Sequence, residues 1–249
     1  MRTLTARLTT ILLLALPLAG CINYHDSNDH GGEQARNGAD DDSVSTGGEH
    51  GTDTHSINGS IYVPAGQPTG DASTVNGSVR IADHAQIEGG HSVNGGISLG
   101  NDATAGSLTT VNGGIVVGDG AQVHDAVSTV NGSLSLHPGS AVGGRLSNVN
   151  GTIIVAAASV GGGISTVNGN IDIGANARIK GGITVHQPTT GFLNWWGGDK
   201  PRVVVGPGAT VEGDLRFERE VRLFVSDTAT VGPITGATAV KFSGDRPPG

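Results

Sequence analysis

Residues 168–185 read NGNIDIGANARIKGGITV, and their apolar positions decide the fold. Ile171 and Ile173, then Ala177 and Ile179, then Ile183 and Val185 form three i, i+2 pairs, each displaced by six residues from the one before. Alternation with a period of two sets each pair on one side of a short strand. Three such strands in 18 residues predict one triangular turn of a β-solenoid.

The unit repeats on both sides of this copy. Asn-Gly recurs at Asn58, Asn76, Asn94, Asn112, Asn131, Asn150 and Asn168, in steps of 18, 18, 18, 19, 19 and 18 residues. So regular a period marks a repeat architecture. Stacked turns place like side chains above one another about 4.8 Å apart, so a column of Ile, Val and Ala fills the inside without large aromatics. Composition agrees, with 43 Gly among 249 residues and only 3% aromatics. Residues 200–217, KPRVVVGPGATVEGDLRF, align position for position with 168–185 beyond a 14-residue insertion, and a further turn follows from about Glu218. The expected fold class is all-β: a three-sided parallel β-helix of about nine turns, roughly 40 Å long.

Each Asn is expected at a sharp corner, because Asn and Gly tolerate φ > 0 most cheaply. Stacked corners then bring the amides into a structural Asn ladder along the axis. Asn58, Asn76, Asn131 and Asn150 also match the acceptor pattern N-x-[ST], which at such a corner is read as accidental.

The amino terminus reads MRTLTARLTTILLLALPLAGC. Arg2 and Arg7 precede an apolar run too short to span a bilayer, the layout of a secretory signal. Leu18-Ala19-Gly20-Cys21 resembles the lipobox of bacterial lipoproteins, which implies diacylation of Cys21, the sole cysteine, and anchorage to a membrane. Ile22 after the cysteine favours the outer membrane in a Gram-negative cell. Residues 22–55 contain eight acidic residues against one Arg and almost no aliphatics, so a disordered tether is expected. The domain boundaries are therefore 1–20 for the signal, 21–55 for the lipidated tether, 56–185 for the Asn-Gly solenoid, 186–199 for an aromatic insertion and 200–249 for the last turns and cap.

Several function classes are disfavoured. The tether histidines His25, His30, His50 and His55 have spacings that fit no defined metal site. The solenoid histidines His84, His91, His124, His137 and His186 lie at five different offsets from their unit's Asn and share no site, so neither catalysis nor a cofactor is expected. His91 takes the offset of core aliphatics such as Val127 and Ile183, so partial burial is expected. Thr74, Thr110, Thr129 and Thr166 form one row, less than the lattice of rows an ice-binding face needs. A formal charge of −8 argues against nucleic acid.

VEGDL at 211–215 and VRLFVSDTATVGPI at 221–234 resemble the bactofilins, polymer-forming bacterial proteins. The resemblance, which extends over residues 56 to about 236 as repeat geometry, implies a three-sided β-helix associating end to end near membranes. The VNG and ING repeats resemble adhesin-like β-solenoid domains named for a Gly-Ile-Asn motif. The expected role is that of a lipid-anchored envelope scaffold, a homo-oligomer through its solenoid ends. At the amino end Tyr62-Val63-Pro64 offers one proline and the acidic tether little cover, whereas Gly232-Pro233 and the tail SGDRPPG supply prolines and charge that blunt the other end. The alternative is an adhesin-like module that binds an envelope partner or glycan through the insertion, with Phe192, Leu193, Trp195 and Trp196 as its contact residues.

Overall fold

The computed structural model describes residues 51–188 and 200–247, which form a parallel β-solenoid of ten turns. One side is a ten-stranded sheet. In chain order its strands are β2 (Ile61–Val63), β4 (Val79–Ile81), β6 (Ile97–Leu99), β8 (Ile115–Val117), β11 (Leu134–Leu136), β14 (Thr152–Val155), β17 (Asn170–Ile173), β20 (Arg202–Val205), β23 (Arg222–Ser226) and β26 (Ala239–Phe242). The expected count of about nine falls one short, because it leaves out the turn to which β26 belongs. The first strand, β1 (Thr52–Ser56), begins inside the stretch that composition assigns to the tether.

The remaining two sides are built in two ways. In the early turns one long strand spans both: β1, then β3 (Pro68–Thr74), β5 (Gln86–Ser92) and β7 (Thr104–Asn112). Beyond β7 the sheet divides. The second side continues as β9 (Gln122–Val123), β12 (Ala141–Val142), β15 (Ser159–Val160), β18 (Arg178–Ile179), β21 (Thr210–Val211) and β24 (Thr230–Val231). The third continues as β10 (Val127–Asn131), β13 (Leu146–Asn150), β16 (Ile164–Thr166), β19 (Ile183–Val185), β22 (Leu215–Phe217) and β25 (Ile234–Thr235). The two 19-residue steps begin here: the extra residue opens a third corner at 124–126 and 143–145.

That extra residue moves the inward offset by one. His91 consequently pairs with Ser73 and Thr109 on the outside, and the inward position falls to Gly90, between Ala72 and Leu108. Its alignment with the core aliphatics is thus corrected, while the expected partial burial holds, its side chain being 32% exposed. The Leu108 side chain fills the space beside Gly90, 3.0 Å from where a Cβ would stand.

The core is the set of columns that the period requires. Ile61, Val79, Ile97, Ile115, Leu134, Ile153, Ile171, Val203 and Leu223 stack on one side, and Ala85, Ala103, Ala121, Ala158, Ala177 and Ala209 line the adjoining corner, all buried. Burying one branched aliphatic contributes about 1.5–3 kcal/mol, so nine layers hold the stack without aromatic anchors. Ser140 takes an alanine's place, buried, and its hydroxyl donates to His137 O at 2.6 Å.

Positive φ recurs at the corner that follows each of the first eight strands of the ten-stranded sheet and, Gly151 apart, not at the Asn-Gly corner. The left-handed residues at this corner are Gly66, His84, Asp102, Gly120, Gly139, Ala157, Asn176 and Gly208, one in each of eight turns, and Gly236 and Gly244 follow near the carboxyl end. No ladder asparagine has φ > 0, and of the glycines that follow them only Gly151 does. This corrects the reason for Asn at the repeat corner. Ala157, at φ 44°, is the least suited of the left-handed set because its Cβ approaches the following carbonyl. Ala157→Gly is expected to raise stability by about 0.5–1 kcal/mol, the strain relief outweighing the added freedom of the unfolded chain. A rise in the urea midpoint at unchanged slope is the measurement, and a fall would refute the strain.

Candidate functional site

The seven asparagines form a continuous amide ladder on an exposed ridge. Asn76 Nδ2 donates to Asn58 Oδ1 at 2.9 Å, and the same bond links Asn94 to Asn76, Asn112 to Asn94, Asn131 to Asn112, Asn150 to Asn131 and Asn168 to Asn150, at 2.8–3.1 Å. All six bonds run the same way, so the row has a donor end at Asn58 and an acceptor end at Asn168. Chains of hydrogen bonds polarise one another. The acceptor end is closed by a cation: Arg219 Nη1 donates to Asn168 Oδ1 at 2.6 Å and to Val167 O at 3.2 Å. At the donor end Asn58 Nδ2 has no acceptor among the described residues.

A second row lies beneath the ridge. Thr74, Ser92, Thr110 and Thr129 are buried, and their hydroxyls donate to the carbonyls of Gly59, Gly77, Gly95 and Gly113 at 2.8–2.9 Å. The threonine row therefore points inward, which removes it from any outward array. It also explains the recurring Ser-Thr-Val-Asn-Gly: the Thr ties the corner from inside and the Asn from outside. The Gly is required because a Cβ at Gly77, Gly95, Gly113, Gly132, Gly151 or Gly169 would overlap the carbonyl of the corresponding glycine one turn earlier. Asn148 breaks the inner row. Its Nδ2 reaches Gly132 O only at 3.5 Å, and its Oδ1 is buried without a partner.

Thr110→Val is expected to cost about 1–2 kcal/mol, because the Gly95 carbonyl loses a buried donor. Asn112→Ala, on the wet side of the same corner, is expected to cost about 0.5–1 kcal/mol, and Asn58→Ala less. Chemical denaturation ranks them; the reverse order would mean that the outer amides carry the corner.

The insertion is mounted on a short charged segment. His186 Nδ1 lies 3.2 Å from Glu218 Oε2, and the Gln187 amide donates to the same oxygen at 3.3 Å. On the far stem Lys200 Nζ bonds Glu220 at 2.7 Å, a hydrogen bond that holds the Glu220 carboxyl below its ordinary range. Glu218, Arg219 and Glu220 thus hold one stem, the ladder end and the other stem in turn. Phe192, Leu193, Trp195 and Trp196 lie outside the described residues, as do Cys21, His25, His30 and His50.

The other candidates stay apart. His91 and His137 each approach one carboxylate, Asp71 and Asp119, at 4.0 Å, and no group of three or more metal-ligating side chains occurs among the described residues. A groove of about 540 Å³ runs over Gly106, bounded by Glu88, His124 and Asp125 where the long strands give way to the three-cornered turns. No sequence pattern marks it, because it arises from the change in turn shape.

Among the described residues nothing covers the amino-terminal end of the stack. Strand β1 pairs only with β3, and β2 only with β4. Ile57 and Tyr62 are 70% and 63% exposed there. No protein-family model matches the chain, and neither a curated protein nor a solved structure matches it.

Proposed function

We propose that the chain is a lipid-anchored protein of a bacterial envelope that serves as a structural element, associating with further copies through the open amino-terminal end of its solenoid. The observation that carries this reading is the first described turn, which no other described residue covers. β1 and β2 each present a row of unpaired backbone donors and acceptors, and edges of that kind template further strands. Ile57 and Tyr62 add apolar surface at the same end. The likeness of residues 211–215 and 221–234 to bactofilins supports the same role, and the lipobox-like segment ending at Cys21 supports the anchor.

Sedimentation of the full chain in detergent across a concentration series, with electron microscopy, tests both parts. Association is expected to grow with concentration, to be lost in Ile57→Glu with Tyr62→Lys, and to persist in Trp195→Ala with Trp196→Ala. Loss of assembly in the tryptophan variant instead would move the interface to the insertion and end the reading. Cys21→Ser is expected to leave the membrane fraction, and its retention there would remove the anchor.

A second reading has one observation in its favour. Both stems of the insertion are fixed by Glu218 and Glu220, and a loop held at its base by a rigid scaffold is the usual platform for recognition. In that reading the insertion binds an envelope partner or glycan as an adhesin-like module. Loss of binding to isolated envelopes in the tryptophan variant, with assembly unchanged, would select it.

A further inference from the structure

We propose that Asn58–Gly59 is a site of spontaneous backbone-assisted deamidation, which places a carboxylate at the open end of the ladder. In the reaction the Gly59 backbone nitrogen gives up its proton to solvent base and attacks Asn58 Cγ. The Cγ–Nδ2 bond breaks, and the amide nitrogen leaves as ammonia after taking up a proton. Water then opens the resulting succinimide at either carbonyl, giving aspartate or isoaspartate. The net change is one water consumed and one ammonia released for each amide converted to an acid.

The sequence holds eight Asn-Gly pairs, of which Asn37-Gly38 lies outside the described residues; among the seven of the ladder the structure separates one from six. The first ground is the leaving group. Asn76, Asn94, Asn112, Asn131, Asn150 and Asn168 each hold Nδ2 in a ladder bond, whereas Asn58 Nδ2 is bonded to nothing among the described residues. Asn58 Oδ1 nevertheless accepts from Asn76 Nδ2 at 2.9 Å, so the oxygen that becomes negative when Cγ is attacked already faces a donor.

The second ground is the freedom of the nucleophile. Six of the glycines abut the glycine carbonyl of the turn before, which resists the backbone rotation that ring closure needs. Gly59 has no such neighbour: a Cβ there would meet only Ser56 Oγ, at 3.0 Å. At two of the six the nitrogen is also engaged, Gly132 N donating to Asn150 O at 3.0 Å and Gly169 N to Thr166 Oγ1 at 2.9 Å. The third ground is position. Residue 58 lies in the first turn of a stack, and terminal layers open at the lowest free energy.

The chemistry stands on these contacts alone; its consequence rests on the association reading above. Each conversion adds a negative charge to a surface that meets its partner edge to edge, where like charges oppose contact. Age at Asn58 would then release or prevent end association.

The test is incubation of the full chain at mildly alkaline pH, with peptide mapping by mass and enzymatic labelling of isoaspartate. Asn58 is expected to convert at least about tenfold faster than any of the other six ladder asparagines, as loss of a leaving-group bond and of one packed layer implies. Gly59→Ala, the one substitution of this kind the packing admits, is expected to slow Asn58 by at least about tenfold, since a methyl there hinders ring closure and cuts the backbone's freedom. Conversion of Asn112 as fast as Asn58, or an unchanged rate in Gly59→Ala, would overturn the site. Fast conversion at Asn58 in a chain that never associates would uphold the site and count against the association reading instead.

Discussion

Gly113→Ala is expected to destabilise the solenoid by about 3 kcal/mol, among the largest effects a single methyl can have here. The added Cβ would fall on the carbonyl of Gly95, and that carbonyl cannot move away. It also accepts the buried Thr110 hydroxyl at 2.8 Å, so displacing it breaks a second contact. Relief requires the two layers to part at the corner, which stretches the hydrogen bonds between β8 and β6 on one side and strains the corner on the other. Gly59→Ala is the internal control, expected to cost less than about 0.5 kcal/mol because no earlier turn presses on it. Equal midpoints for the two variants in urea would show that the layers yield, and the close-approach account of the repeated glycine would fail.

Leu134→Ala is expected to cost about 3–4 kcal/mol. The side chain is fully buried and stands in register between Ile115 and Ile153. In a globular core some of the resulting cavity closes as neighbours shift. Here the neighbours above and below are held by parallel ladders on both sides, so little collapse is possible. Val116→Ala, on the outer face of the adjoining strand and 37% exposed, is expected to change stability by less than about 0.5 kcal/mol. A loss below about 1.5 kcal/mol for Leu134→Ala would mean that the layers slide together over the void.

How much was legible in the sequence follows from what repeats. Ile171, Ile173, Ala177, Ile179, Ile183 and Val185 predict inward columns, and all six are buried, because a period-two pair with a six-residue step has one geometry that stacks. The ladder was legible for the same reason: equal spacing brings equal side chains together. What the repeat does not encode is where it changes. The 19-residue steps are visible as numbers, yet their effect on His91 and Gly90 appears only once the extra residue is placed at the third corner. Arg219 could not be assigned to the ladder because it lies 51 residues from Asn168, across the insertion. The inward direction of Thr110 was missed because a hydroxyl reads as a surface group until its carbonyl partner is located. The Asn-Gly pattern predicts the left-handed corner at Asn112 and its equivalents, whereas φ is positive at Asp102, Gly120 and Gly139, whose types vary and so leave no pattern.

The guanidinium at Asn168 gives the molecule a direction of growth by duplication. An 18-residue copy added ahead of Asn58 would meet an amide hydrogen that no described residue accepts and would continue the row without changing any bond of the ladder. The same copy placed behind Asn168 would have to evict Arg219 before its own asparagine could donate, and would carry the charged stems of the insertion away from their partners. Lengthening is therefore cheap at the front of this chain and blocked at the rear, so descendants of one ancestral gene should differ in the number of turns before the insertion and agree in the number after it.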